Sequence, residues 1–168
     1  DRQVEKGRLD TTMAAAHKAR LRAATSLKDL ADCDLIVEAI VEKLEVKAAL
    51  FAELEDIVRA DAVLASNTSS LSITAIAARL QRPQRLAGYH FFNPVPLMKV
   101  VEVIAGLKTD PAVCTALSDY ARQMGHTPVL AQDTPGFIVN HAGRGYGTEA
   151  LRIVSEGVAD FVTVDRIL

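Results

Sequence analysis

Cysteine is too scarce in this sequence to form a disulfide framework. Cys33 and Cys114 are the only cysteines among 168 residues, and neither belongs to a CxxC pair. Two isolated thiols are typical of a protein in a reducing compartment, so we expect a cytoplasmic location. The four histidines are equally scattered and lack metal-ligand spacing, so we expect no metal site.

The sequence also lacks an excess of charge of one sign and a long hydrophobic run. Its net charge is −2 and its basic residues form no dense stripe, which argues against nucleic acid as a partner. No apolar run is long enough to span a bilayer, and the charged opening residues 1–6 are unlike a signal peptide, so no membrane partner is expected. With 49% hydrophobic and 24% charged residues, the composition is that of a folded globular protein.

Both ends of the sequence look interrupted. The first residue is not Met, and residues 163–168 are interpreted as a capped helix that has just begun. We therefore interpret the sequence as a fragment of a longer chain.

Apolar segments alternate with amphipathic segments along most of the sequence. The predicted strands are residues 34–40, 62–65, 85–92, 100–104 and 127–131, and the predicted helices are residues 13–21, capped by Thr11, 43–59, 72–80 and about 110–124. Val46, Leu50 and Leu54 recur at helical spacing and predict the buried face of the second helix. The strand–helix–strand–helix–strand order implies crossover connections and a parallel sheet. The predicted fold class is α/β, with a partial, Rossmann-like, mostly parallel sheet flanked by helices.

A domain boundary is predicted at residues 133–136. Asp133 is interpreted as a helix cap, followed by a helix-starting Pro135 and a long helix from about Phe137. Residues 1–132 would then form the sheet domain, and residues 133–168 would begin an all-α domain. The glycine-rich run 143–147 lacks GxGxxG spacing, and we interpret it as a place where another backbone or a ligand packs closely.

His90 is the strongest candidate for a catalytic residue. It ends an apolar strand, and ligands of open parallel sheets bind beyond the carboxyl ends of the strands. If residues 85–92 and 100–104 pair as a hairpin centred on Pro96, Glu102 falls opposite His90 and can fix the tautomer of the imidazole. The competing interpretation is a hydrogen-bonded core histidine and an exposed strand carboxylate. The residues alone leave both open.

Other polar residues near the strand ends have plain interpretations. Ser70 or Ser72 caps the following helix, which leaves Asn67, Thr68 and Ser69 as extra polar groups able to bind ribose or a carbonyl. Glu42 and Lys47 are consistent with surface charges on the first helical turns. A hydrolytic triad of Ser69, His90 and Glu102 is disfavoured because no G-x-S-x-G elbow surrounds the serine.

Five segments, taken together and in order, resemble the 3-hydroxyacyl-CoA dehydrogenase family. They are residues 37–42 (VEAIVE), 65–70 (ASNTSS), 88–96 (GYHFFNPVP), 101–104 (VEVI) and 133–140 (DTPGFIVN). The HFFNPVP and DTPGFIVN strings are highly specific, and residues 1–33 look most like the bacterial 3-hydroxybutyryl-CoA or 3-hydroxyadipyl-CoA dehydrogenases. The resemblance implies an NAD-linked oxidation of an L-3-hydroxyacyl-CoA to the 3-ketoacyl-CoA, in fatty-acid or phenylacetate catabolism.

The resemblance also implies a role for each matching residue. His90 takes the hydroxyl proton and Glu102 orients it, while Ser69 and Asn140 contact the substrate. The residues implied on the cofactor side are Ile40, Val41, Glu42, Lys47, Ser69 and Asn93.

The family's GxGxxG turn, which holds the cofactor pyrophosphate, does not occur in these residues. We therefore expect the 168 residues alone to turn over negligibly. The resemblance also implies that the intact protein acts on acyl-CoA as a homodimer. A non-catalytic fragment that only binds acyl-CoA or a partner is the alternative.

Overall fold

The computed structural model describes residues 2–167, which form five strands and seven helices. The strands are β1 (Leu35–Glu38), β2 (Val63–Ser66), β3 (Leu86–Phe91), β4 (Val100–Ala105) and β5 (Thr127–Gln132). The helices are α1 (Arg2–Glu5), α2 (Thr11–Ala19), α3 (Leu44–Ile57), α4 (Ile73–Ala77), α5 (Pro111–Gln123), α6 (Val139–Ser155) and α7 (Phe161–Ile167). Within the described residues, no helix has both the length and the apolar character needed to cross a membrane.

The five strands form one sheet in the order β1-β2-β3-β4-β5. The pairs β1–β2, β2–β3 and β4–β5 are parallel, and only β3–β4 is antiparallel. The α/β class and the mostly parallel sheet are confirmed. The hairpin register is confirmed as well, because His90 pairs directly with Glu102 across β3 and β4.

The first strand ends two residues earlier than the predicted segment 34–40. The backbone N–H of Ile40 turns back and donates to Oε1 of Glu38 at 2.6 Å, which removes it from the sheet ladder. As a result Ile40 and Val41 stand outside the sheet and are 43% and 54% exposed. The turn places these two apolar side chains beyond the carboxyl end of β1.

The predicted buried face of helix α3 is confirmed at Leu54 and wrong at Val46. Val46 is 42% exposed, whereas Leu54 is buried together with Phe51 and Lys47. Neighbouring residues of an α-helix point about 100° apart, so a buried face that contains residue 47 and not residue 46 moves Lys47 from the surface to the interior.

Residue 88 is a glycine where the chain has no room for a side chain, since a Cβ there would lie 2.8 Å from Cβ of Ile104.

Asp133 caps a helix, but not the one predicted. Its carboxylate accepts from the N–H groups of Ile73 and Thr74 at 2.9 and 2.8 Å and from the hydroxyl of Ser72 at 2.7 Å. It therefore holds the start of α4, some sixty residues earlier in the chain. Ser72 is itself the N-cap of α4, as predicted, because its Oγ accepts from the N–H of Ala75.

The ionisation of Asp133 is coupled to this contact. Burial favours the neutral acid, but hydrogen bonds from Thr74, Ser72 and Ile73 favour the carboxylate, and the pKa of Asp133 lies below its ordinary value of 3.8. A carboxyl with a lowered pKa stabilises the folded state above its ordinary pKa, and the contribution disappears as the pH falls through the folded-state value.

Replacing Asp133 with Asn should therefore destabilise the protein in a pH-dependent manner. We expect a loss of about 1–3 kcal/mol in the free energy of unfolding near neutral pH, because the NH₂ group of Asn cannot accept from one of the two backbone N–H groups that the carboxylate binds. The difference in the free energy of unfolding between the variant and the unmodified protein should become smaller as the pH falls below 3.8, where the native carboxylate becomes protonated and its contribution is lost. Urea unfolding at several pH values measures this. Asp119→Asn is the control, since its 57% exposed carboxylate pairs only with exposed Arg122. A difference that does not vary with pH would contradict the prediction.

The C-terminal segment differs from the prediction in three details. α6 begins at Val139 because Gly136 and Phe137 have positive φ values of 77° and 50°, which turn the chain before the helix starts. The glycine run 143–147 lies inside α6, and a Cβ at any of its three glycines would meet nothing within 4 Å, so no other backbone of the described residues packs closely there. α7 begins at Phe161, before the predicted residue 163, and Leu168 lies outside the described residues.

The cap of α2 also differs. Asp10 rather than Thr11 accepts from the N–H groups of Thr12 and Met13.

Candidate active site

The antiparallel pairing of β3 and β4 brings His90 and Glu102 into direct contact. Nδ1 of His90 lies 2.7 Å from Oε2 of Glu102, and the two side chains are 7% and 0% exposed. An ionised Glu102 can only accept a hydrogen bond, so a neutral His90 paired with it carries its proton on Nδ1 and its lone pair on Nε2. The interpretation of Glu102 as an exposed strand charge is wrong.

The other ring nitrogen of His90 is free to act. Within the described residues, Nε2 of His90 has no hydrogen-bond partner. It is also not fully enclosed, because the fully enclosed side-chain atoms that lack a partner are Nε of Arg85 and Nδ1 of His126. The rings of Phe92 and Phe137 lie 4.6 and 5.8 Å from the imidazole, centroid to centroid. His90 thus keeps one ring nitrogen without a protein partner, beside the rings of Phe92 and Phe137.

Glu102 is also anchored to the last large helix. Its Oε1 accepts from the N–H groups of Ile138 and Val139, both at 2.9 Å, at the start of α6. Two N–H groups at the start of a helix thus hold this carboxyl oxygen in place. The positive φ of Phe137 is an unfavourable backbone conformation for a bulky residue, and it immediately precedes the N–H groups that reach Glu102.

Ser69 and Asn140 meet at the same edge of the sheet. Nδ2 of Asn140 donates to the backbone carbonyl of Ser69 at 3.1 Å, and Asn140 directly follows Val139, whose N–H reaches Glu102. Ser69 directs its N–H and hydroxyl to Oε1 of Glu42, at 2.9 and 3.4 Å. Within the described residues Ser69 therefore pairs with Glu42 and not with His90, which gives the hydrolytic triad no support.

Glu42 and Lys47 belong to a cluster of charges rather than to a plain surface. Nζ of Lys47 lies 2.6 Å from Oε1 of Glu38 and 3.2 Å from Oε2 of Glu42, and the lysine side chain is 1% exposed. Burial opposes ionisation of Glu42, but hydrogen bonds from Thr68, Ser69 and Lys47 hold its pKa below the ordinary value. The interpretation of Lys47 as a surface charge is wrong, while Glu42 remains 39% exposed.

Three buried polar residues lie around the site but have no assigned role among the predicted site residues. Glu38, Ser66 and Thr68 are 3%, 0% and 0% exposed and lie at or just beyond the ends of β1 and β2. A signal for Glu38 exists in the sequence, because strand alternation places it on the same face as buried Ile36. Ser66 and Thr68 stand in the polar run 66–70 after the second strand, but nothing in that run indicates that they are buried.

The exposed residues at the sheet edge fit the nicotinamide cofactor that the resemblance implies. Ile40 and Val41 offer an exposed apolar surface, and the exposed carboxylate of Glu42 can accept from ribose hydroxyls. Asn93 is exposed just beyond β3. Lys47 differs from these, because its ammonium is surrounded by Glu38, Glu42 and, at 3.4 Å, the carbonyl of Ile40. The structure thus joins all the predicted residues except Asn93 through direct contacts or adjacent positions.

Comparison with known proteins shows the family of the chain. The family described as "3-hydroxyacyl-CoA dehydrogenase, NAD binding domain" matches residues 1–134. The 3-hydroxyadipyl-CoA dehydrogenase of Escherichia coli K12 is 45% identical over 166 residues, which is 99% of this chain and 35% of that protein. The fatty acid oxidation complex subunit alpha of Pseudomonas putida F1 is 46% identical over 167 residues, which is 99% of this chain and 23% of that protein.

A solved structure has the same fold. The crystal structure of 3-hydroxybutyryl-CoA dehydrogenase from Escherichia coli K12 matches with a TM-score of 0.90 at 46% identity, over 94% of this chain and 33% of that chain. The fold and the family match together define an NAD-binding, Rossmann-like dehydrogenase domain. The chain belongs to the 3-hydroxyacyl-CoA dehydrogenase family, and it spans about a third or less of the length of these relatives.

Proposed function

We propose that the full-length protein oxidises an L-3-hydroxyacyl-CoA to the 3-ketoacyl-CoA, with His90 as the base. The observation that carries the proposal is the buried His90–Glu102 pair with a free Nε2 at the edge of the sheet. As the substrate carbon is oxidised, its hydroxyl must lose a proton, which Nε2 can accept. General base help of this kind is typically worth about 10² to 10⁴ in rate. NAD, when bound, supplies the hydride acceptor.

Ser69 and Asn140 are proposed to contact the substrate oxygen. Both side chains are polar, and contacts hold both residues near His90. Asn140 donates to the backbone carbonyl of Ser69, and it directly follows Val139, whose N–H group donates to Glu102. Donors fixed in place before reaction stabilise negative charge that develops on oxygen.

The cofactor side is proposed to use the exposed edge of the sheet. Ile40, Val41, Glu42 and Asn93 would touch the cofactor, with Ser69 between cofactor and substrate. Lys47 would contribute by holding Glu42 in place, because its own ammonium is enclosed by protein acceptors.

The wider setting is part of the proposal. Residues 1–132 would form the NAD-binding and catalytic domain, and residues 133–168 would begin a helical domain for substrate binding and dimer formation. A cytoplasmic enzyme of fatty-acid or phenylacetate catabolism would fit the names of the relatives, which are a fatty acid oxidation complex subunit and a 3-hydroxyadipyl-CoA dehydrogenase.

Loss of NADH absorbance on adding acetoacetyl-CoA to the full-length protein tests the proposal in the reverse direction. We expect steady turnover with the full-length protein and negligible turnover with the 168 residues alone, which contain no GxGxxG turn. Calorimetric titration with each ligand separates the alternative. Tight binding of acetoacetyl-CoA by the full-length protein without any response to NADH would favour a non-catalytic acyl-CoA-binding protein.

A further inference from the structure

Glu38 is a fully enclosed carboxylate that the proposed mechanism does not use. It ends β1, and its side chain is 0% exposed. Its Oε1 accepts from Nζ of Lys47 and from the N–H of Ile40, both at 2.6 Å, and its Oε2 accepts from the hydroxyl of Ser66 at 2.7 Å. The carboxylate is thus held by three elements of the chain, namely the loop after β1, the end of β2 and the first turn of α3.

A continuous series of contacts leads from Glu38 to the proposed substrate site. Lys47 lies between Glu38 and Oε2 of Glu42. The other oxygen of Glu42 accepts from the hydroxyl of Thr68 and from the N–H of Ser69. Glu42 therefore divides its two oxygens between the buried ammonium and the loop that carries Ser69.

This division depends on the charge of Glu38. With Glu38 ionised, the ammonium of Lys47 has two carboxylates and needs only one oxygen of Glu42. With a neutral residue at position 38, the same buried ammonium would face Glu42 as its sole counter-charge. Attraction between buried charges is strong and an unbalanced one is costly, so Glu42 would move toward Lys47 and weaken its bond to Ser69.

We infer that Glu38 is a positioning residue, which acts through Lys47 and Glu42 to set the place of Ser69. The kinetic consequence of this inference rests on the proposed function, because it assumes that Ser69 contacts the substrate. The structural consequence is a change in the hydrogen bond between Ser69 and Glu42, and it does not depend on the proposed function. The competing role is a plain ion pair that only fastens α3 to β1.

A double-mutant cycle in the full-length protein separates these roles. Glu38→Gln keeps the shape of the side chain and removes its charge, and we expect kcat/KM with acetoacetyl-CoA to fall about tenfold. In a Ser69→Ala background, the same substitution should lower kcat/KM less than about twofold, because the Ser69 hydroxyl that Glu38 is inferred to position has already been removed. Equal losses in both backgrounds would overturn the inference, because a merely structural role gives additive effects.

The amide proton resonance of Ser69 gives a readout that is independent of activity. In an NMR spectrum of the full-length protein, Glu38→Gln should shift this resonance in the direction produced by Glu42→Gln, as the bond to the carboxylate weakens. Ser66→Ala is the milder variant, because it removes only the hydroxyl that orients Glu38, and it should shift the resonance the same way. An unchanged Ser69 resonance in either folded variant would overturn the inference even if the protein proved not to be a dehydrogenase.

Glu55→Gln is the matched control. Glu55 is equally enclosed, at 4% exposure, and pairs with Arg82 and Arg85 beyond the opposite end of α3 from Lys47. Its substitution should lower the thermal stability but leave the Ser69 resonance and kcat/KM unchanged. Equal kinetic losses from Glu55→Gln and Glu38→Gln would mean that loss of a buried carboxylate, and not positioning, causes the effect, and would overturn the inference.

Discussion

Replacing His90 with Gln in the full-length protein is expected to lower kcat by at least about 10²-fold while leaving the affinity for NADH nearly unchanged. Glutamine fills a similar volume, but its amide cannot accept a proton near neutral pH. The proton of the substrate hydroxyl then has no base, whereas the exposed cofactor residues Ile40, Val41 and Glu42 are untouched. Steady-state rates with acetoacetyl-CoA and NADH fluorescence titration measure the two quantities.

His17→Gln is the control for this substitution. His17 lies on the exposed helix α2, far along the chain from the sheet edge, so its loss should change neither rate nor affinity. Undiminished turnover by His90→Gln would remove His90 from the mechanism. A parallel loss of NADH affinity would instead mean that the imidazole supports the cofactor surface.

Replacing Glu102 with Gln is expected to cost about 10² to 10⁴ in kcat through the tautomer of His90. The N–H groups of Ile138 and Val139 require an acceptor, so the amide oxygen of Gln would face them. The NH₂ group would then face Nδ1 of His90 and donate to it. Nδ1 would become the acceptor, the ring proton would move to Nε2, and the basic lone pair would no longer point to the substrate.

Glu102→Gln should lower the stability of the folded protein less than Glu102→Ala does. Glu102→Gln keeps an acceptor for α6, whereas Glu102→Ala removes the partly buried hydrogen bonds to the N–H groups of Ile138 and Val139, and a shielded donor without its partner costs about 1–3 kcal/mol. Thermal unfolding of both variants, measured beside their rates, tests this order. Full activity of Glu102→Gln would contradict the tautomer argument, and equal destabilisation by Gln and Ala would contradict the anchoring of α6.

The features of the fold that depend on local pattern were predictable from the sequence. Apolar runs between turn residues gave the strands, and the symmetric spacing about Pro96 placed His90 opposite Glu102, as the β3–β4 register confirms. The order of the family segments gave the remaining site residues. Their joint position at one edge of the sheet follows from the parallel strands, because the carboxyl ends of such strands lie together.

Contacts that depend on distant partners were not predictable. The pattern of Asp133 followed by Pro135 made Asp133 look like a cap of the following helix, but its partners are residues 72–74. Lys47 is buried because the buried face of α3 contains residues 47 and 51 and not residue 46. Apolar spacing alone does not predict which of these faces is buried, because Val46 and Leu50 fit the helical periodicity as well as Phe51 does. The left-handed backbone at Phe137 has no sequence signal, since the residue is neither Gly nor Asn.

The bonds from α6 to Glu102 also bear on how the molecule is assembled during translation. The hairpin of β3 and β4 leaves the ribosome before Ile138 and Val139, which are 36 and 37 residues further along the chain. Until they arrive, one oxygen of a carboxylate destined for the interior has no donor, so this part of the sheet cannot close without the helix that follows it. A fusion junction or a protease cut between residues 133 and 138 would separate the two partners, although the sequence there has the character of a linker.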